Sequence, residues 1–153
     1  MLLATFYDWL LLVHILAAMV WLGGVAVLSA IVTHIVRARD FQRAGQLLSS
    51  LRVVGPLLLA PAPAILLGAG IWLVLKGWDF ADGWVVFALV LFAVAFLVGA
   101  LVQNRAAISA GRALAAGEHT DAMRYLRRWS WGSRFILLLL IVATWDMTLK
   151  PGF

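Results

Sequence analysis

The chain contains no cysteine, which excludes disulfides, thiolate metal sites, iron–sulfur clusters and covalent c-type haem attachment. Redox chemistry, if the protein has any, must rest on a cofactor held by one of three histidines, His14, His34 and His119. Charge is also scarce. Only 12% of the 153 residues are Asp, Glu, Lys or Arg, against 65% hydrophobic, too little polar surface for a water-soluble fold to cover itself. No Lys or Arg precedes Arg37, so the chain opens without the basic n-region of a secretory signal, and its first apolar run is expected to be part of the mature protein. The apolar runs show no period-two alternation, which excludes a transmembrane barrel. The net charge of +5 is not gathered into a soluble basic domain interleaved with aromatics, so nucleic acid is not the expected partner. The expected partner is the lipid bilayer.

Four continuous apolar segments, at residues 6–36, 53–75, 84–103 and 133–149, reach the roughly 20 residues needed to cross a ~30 Å hydrocarbon core. The sequence predicts one all-α domain over residues 1–153. It is a four-transmembrane-helix bundle with helices at 6–36, 40–75, 84–116 and 120–149. The second includes an amphipathic surface stretch in which Phe41, Ala44, Leu47, Leu48 and Leu51 recur at helical spacing. Gly117 is the expected stop of the third helix, and Thr120 the expected N-cap of the fourth. Most of the eight Trp lie near the ends of the apolar runs, as interfacial anchors do.

The cations sort by side. Ten Arg fall at one end of these spans, and Lys76 and Lys150 at the other. By the positive-inside rule the Arg end is cytoplasmic. The expectation is therefore a multi-pass protein of a bacterial inner membrane with both termini, and the 76–83 loop, outside.

Few side chains within the spans can carry chemistry. His14 lies in HILAAMVWLGG, on a helical face continued by Ala17, Ala18 and Trp21 with Gly24 close by, and an intramembrane ionisable group is a functional candidate by default. It is equally read as a neutral His bonded to a neighbouring helix. His34 sits beside Arg37 at the inner end, where headgroup contact is the simpler reading, and the two histidines are twenty residues apart, about 30 Å along a helix, so they cannot share a metal. His119 falls in a polar turn and is assigned a loop role. Asp146 stands four residues before Lys150, a spacing that permits an ion pair; alternatively it approaches His14 across the bundle. Pro61 and Pro63 leave the carbonyls of Leu57 and Leu59 without helical donors and predict a kink. Gly68 and Gly70 beyond it permit close backbone approach.

The order His14, Trp21, Gly24, then His34 and Arg37, then Gly55-Pro56 and finally Lys150-Pro151 resembles a group of small integral membrane proteins. That group includes HemJ-type protoporphyrinogen oxidases and CopD copper-resistance proteins, and the likeness is greatest to their uncharacterised bacterial relatives, classed as a domain of unknown function. The resemblance implies a four-helix bundle holding b-type haem. His14 would be its ligand, Trp21 and Gly24 would lie beside it, and Arg37 and Lys150 would be the basic residues. The third span, WVVFALVLFAVAFLVGALVQN, has no His or Lys where HemJ-type enzymes are expected to carry polar residues, which weighs against oxidase activity. Two other functions remain open. One is copper or small-ion handling along a path lined by His14, Asp146 and the Pro61/Pro63 kink, with Met19 and Met147 as the available thioethers. The other is a non-catalytic accessory subunit of a larger membrane complex or a homo-oligomer.

Overall fold

The computed structural model describes residues 5–150, and every regular element among them is helical. Four helices are long and apolar enough to cross a bilayer: α1 (Phe6–Ala38), α2 (Phe41–Gly77), α3 (Gly83–Ala115) and α4 (His119–Leu149). The 33 residues of α1 extend about 50 Å, more than the ~30 Å of hydrocarbon, so its ends enter the headgroup layers. Pro151 lies outside the described residues.

Local chemistry sets the helix ends. At the start of α1, Thr5 Oγ1 accepts from the Asp8 N–H while the Asp8 carboxylate accepts from the Thr5 N–H at 2.7 Å, a reciprocal capping box. The helix ends at Arg39, which adopts a left-handed φ of 52°. Asp40 then caps α2 by accepting the Arg43 N–H at 2.9 Å. As the sequence predicts, α3 stops at Gly117, whose φ is 77°. There Glu118 N–H donates to the Ala113 carbonyl at 2.8 Å and Gly117 N–H to that of Leu114 at 3.1 Å, a Schellman turn. Thr120 is not the N-cap expected of it. The helix starts one residue earlier, at His119, with no side-chain cap on its first turn. The His119 ring packs on Phe41 with centroids 4.3 Å apart, so this residue is an anchor between helices and not a free loop side chain.

The proline disturbance in α2 is a π-turn over Gly55–Leu59. Pro61 and Pro63 supply no N–H, and the helix widens so that Ala60 N–H reaches back five residues to the Gly55 carbonyl at 2.9 Å. A second π-turn, Val98–Gln103, interrupts α3. It brings Val98, Val102 and Gln103 onto Gly132 of α4. In both helices the π-turn lies where the apolar span meets the basic extension.

Along α1, Ala17, Trp21, Val25, Ser29, Val32 and Ile35 form one buried stripe at three- and four-residue spacing. The large apolar side chains outside such stripes are mostly exposed, as suits a lipid environment. The spanning part of α2 packs on α1, α1 packs on α4, and α4 packs on α3, but the spanning parts of α2 and α3 do not pack to any extent on one another. The bundle is therefore an open arc. It is closed at the Arg end, where the extensions of α2 and α3 meet.

Polar side chains tie that end together. Thr33 Oγ1 lies 2.8 Å from Ser130 Oγ and accepts from Arg134 at 3.2 Å. Gln103 donates to the fully buried Ser133, whose hydroxyl donates to the Trp129 carbonyl at 3.1 Å. Interhelical bonds of this kind contribute about 0.6–1.7 kcal/mol in membranes. Ser133→Ala is accordingly expected to lower the unfolding free energy in mixed micelles by about that amount, whereas Thr148→Ala, which removes only a bond within α4 at its exposed end, should change it little.

Candidate functional site

The open side of the arc leads to a cavity of about 240 Å³ walled by all four helices. His14 of α1 lines it, and the ring is held by α2: Nδ1–H donates to the Leu66 backbone carbonyl at 2.9 Å. A carbonyl can only accept, so Nδ1 carries the proton in this bond and Nε2 is left with its lone pair. Gly70 makes the approach possible. A Cβ there would stand 2.9 Å from His14 Cε1 and 3.3 Å from Nδ1, whereas one at Gly68 would meet nothing within 4 Å. Of the two glycines expected to admit a close neighbour, only Gly70 does so.

Two turns inward from His14, Trp21 is 7% exposed and meets Phe92 of α3 edge to face at 5.4 Å, forming the floor of the cavity. Its roof is Trp78 at the end of α2 and Trp84 at the start of α3, packed edge to face at 5.1 Å. Lys150 Nζ lies 3.8 Å from the Trp78 ring centre and 5.4 Å from that of Trp84, a cation–π contact at both rings. Thr144 and Met147 of α4 complete the wall. The cavity thus has aromatic ends, one imidazole and one ammonium, and residues of both α2 and α3, which pack little on one another, line it.

His14, Trp21 and Lys150 are therefore brought together, but the other expected site residues lie elsewhere. Gly24 does not line the cavity. A Cβ there would stand 2.8 Å from Leu59 Cδ2, so its smallness seats α1 on the π-turn of α2. Arg37 is exposed at the opposite end of α1, twenty-three residues or about 35 Å from His14, too far to touch the same ligand. His34 is also at that end and faces a separate recess. Pro61 and Pro63 shape the π-turn without lining the cavity.

Asp146 is fully buried, and neither carboxylate oxygen has a hydrogen-bond partner among the described residues. It is neither bonded to His14 nor part of the cavity wall. The expected pair with Lys150 does not form, because Lys150 takes a left-handed φ of 44° at the end of α4. That turns its ammonium onto the tryptophans. Met19 is 63% exposed, away from the cavity that Met147 lines. Among the described residues no three His, Asp or Glu converge as a metal site would require.

Sequence reasoning missed the Leu66 carbonyl and the tryptophan roof. The only available signals were the spacing of Gly70 beyond the prolines and the Trp78 and Trp84 that bracket the 76–83 loop.

The fold defines a four-helix integral membrane protein with a cavity near its Lys-bearing end. The chain belongs to the family described as predicted integral membrane protein (DUF2269), whose model matches residues 8–151. No curated protein and no solved structure matches it.

Gly70→Ala is expected to force the imidazole off the Leu66 carbonyl and, as an overpacked contact, to cost about 1–3 kcal/mol, read as a lowered melting temperature in detergent. Gly68→Ala, with open space at its Cβ, should melt with the wild type.

Proposed function

We propose that the cavity holds a planar, largely apolar cofactor drawn from the bilayer, b-type haem, which His14 would hold through its free ring nitrogen, and that the chain serves as a one-electron carrier. The observation that carries this reading is the Nδ1–H bond to the Leu66 carbonyl at 2.9 Å. Ligating imidazoles are typically held in this way, with one nitrogen bonded to a backbone carbonyl and the other available to the metal. The remaining residues fit such a group. Gly70 makes room for the imidazole to reach Leu66, Trp21 and Phe92 supply an aromatic floor, Lys150 offers a cation for acidic substituents, and Met147 places a thioether in the same wall. The 240 Å³ cavity lies below the roughly 300–1,000 Å³ of most small-molecule sites, so a porphyrin-sized ligand requires the gap between α2 and α3 as well.

Bound haem would supply one-electron chemistry, its potential set by the axial ligand and by burial. The chain's own part is to orient His14 through Leu66, exclude water beneath the Trp78–Trp84 roof, and balance acidic groups with Lys150. The resemblance to HemJ-type proteins points the same way, whereas ion handling would call for more than one ligating His at the cavity. Protein purified in detergent from haem-replete cells should show a Soret band that His14→Ala removes and Arg37→Gln leaves intact. A colourless wild type would refute the assignment.

On this reading the site lies in the outer half of a bacterial inner membrane, with the Arg end cytoplasmic and both termini outside. The distribution of ten Arg and two Lys supports this orientation. Because the chain has no native cysteine, single replacements test it cleanly. In intact cells an impermeant maleimide should label Ala81→Cys but reach Glu118→Cys only after permeabilisation. The reverse pattern would invert the topology.

A further inference from the structure

A second recess lies at the Arg end, between the last turns of α1 and the first turns of α2, lined by His34, Arg43, Gln46 and Ser50 and by the apolar Ala30, Ile31 and Leu47. Its level in the membrane follows from contacts nearby. Thr33, the residue before His34, is bonded to Ser130 and Arg134, and the Arg134 guanidinium lies 5.1 Å from the Trp131 ring centre. Trp and Arg in such a pair mark the boundary between hydrocarbon and headgroups. Trp9, near the other end of α1, is twenty-five residues from His34, about 37 Å, which agrees with His34 lying just beyond a ~30 Å core.

The recess changes character along the membrane normal. Its outermost groups are His34 and Arg43, both exposed. One turn deeper, Ile31 and Ala30 on α1 and Leu47 on α2 offer an apolar trough. The Ser50 hydroxyl is already bonded to the Gln46 carbonyl at 3.0 Å, so the free polar equipment is the His34 ring, the Gln46 amide and the Arg43 guanidinium. Asp40 meets that guanidinium at Nε, 3.2 Å away, and thereby fixes its position; the Nη groups are those an incoming anion would meet. Asp40 is the single acid between Ala30 and Arg52, in a stretch with four Arg.

We propose that this recess binds one anionic phospholipid of the leaflet on the Arg side, with its phosphate on Arg43 and His34 and one acyl chain along Ile31, Ala30 and Leu47. Charge complementarity at the headgroup level selects the acidic head, and the apolar trough directly beneath it suits a lipid tail better than a soluble anion or a polar peptide. Each basic residue near a membrane surface adds about fivefold to the affinity for acidic lipid.

The test uses full-length protein, delipidated in neutral detergent and then offered equimolar phosphatidylglycerol and phosphatidylcholine of identical acyl composition, with retained lipid read by native mass spectrometry. The wild type should retain one phosphatidylglycerol per chain, at least about fivefold over phosphatidylcholine. The double variant His34→Gln/Arg43→Gln should lose that preference, and Arg43→Lys should keep part of it. Arg112→Gln, at the same end but outside the recess, should behave as wild type. The surface positions of His34 and Arg43 should leave helicity and melting unchanged. Equal retention of the two lipids by the wild type would overturn the proposal. So would an undiminished preference in the double variant, or a loss in Arg112→Gln as large as in the double variant.

Discussion

The hydrogen bond from His14 Nδ1 to the Leu66 carbonyl joins a half-buried histidine within the first span to the helix that flanks the cavity, and much of the surrounding structure serves it. The bond requires α1 and α2 to approach within a ring's thickness, which Gly70 permits on one side of the imidazole. Gly24 permits a comparable approach just under one turn past Trp21, where Leu59 of the π-turn presses on α1. Between these two contacts α1 and α2 are locked together along their spans. α3 is held mainly by α4, so the spanning parts of α2 and α3 pack little on one another.

The two ends of the molecule use polar chemistry differently. At the Arg end, hydroxyls, an amide and a guanidinium link helices through Thr33, Ser130, Arg134, Gln103 and Ser133, and the extensions of α2 and α3 meet. At the Lys end the helices are joined by aromatic edges and one ammonium, Trp78, Trp84 and Lys150. Contacts of the second kind are weaker, about 0.5–2 kcal/mol, and directional only in a loose sense. Asp146 adds to this contrast, a buried carboxyl with no hydrogen-bond partner among the described residues.

The membrane fold was legible in the sequence because the bilayer imposes long apolar runs and sorts cations by side. The helix end at Gly117 followed from backbone chemistry that a single residue reveals, whereas the left-handed turn at Arg39 did not. The site was legible only in part. His14, Trp21 and Lys150 do converge, but Gly24 and Arg37, which stand near them in the motif order, do not. Three-dimensional register decided that outcome. The π-turn inserts an extra residue into α2, rotating everything beyond it by about 100° relative to a regular helix. No pattern of one-letter codes could therefore show that Gly70 and not Gly68 faces His14. Lys150 illustrates a second cause: its spacing from Asp146 suggests an ion pair, but a left-handed backbone at the helix end takes the side chain off that face.

The most direct test of this account is nitrogen-resolved NMR of histidine-labelled full-length protein in lipid bilayers without added haem, with His14→Gln used to assign the signal. The account predicts a neutral His14 imidazole protonated at Nδ1, engaged in a hydrogen bond and bare at Nε2, with Gly70→Ala weakening that bond. A His14 ring protonated at Nε2, or one exchanging freely between tautomers, would contradict it.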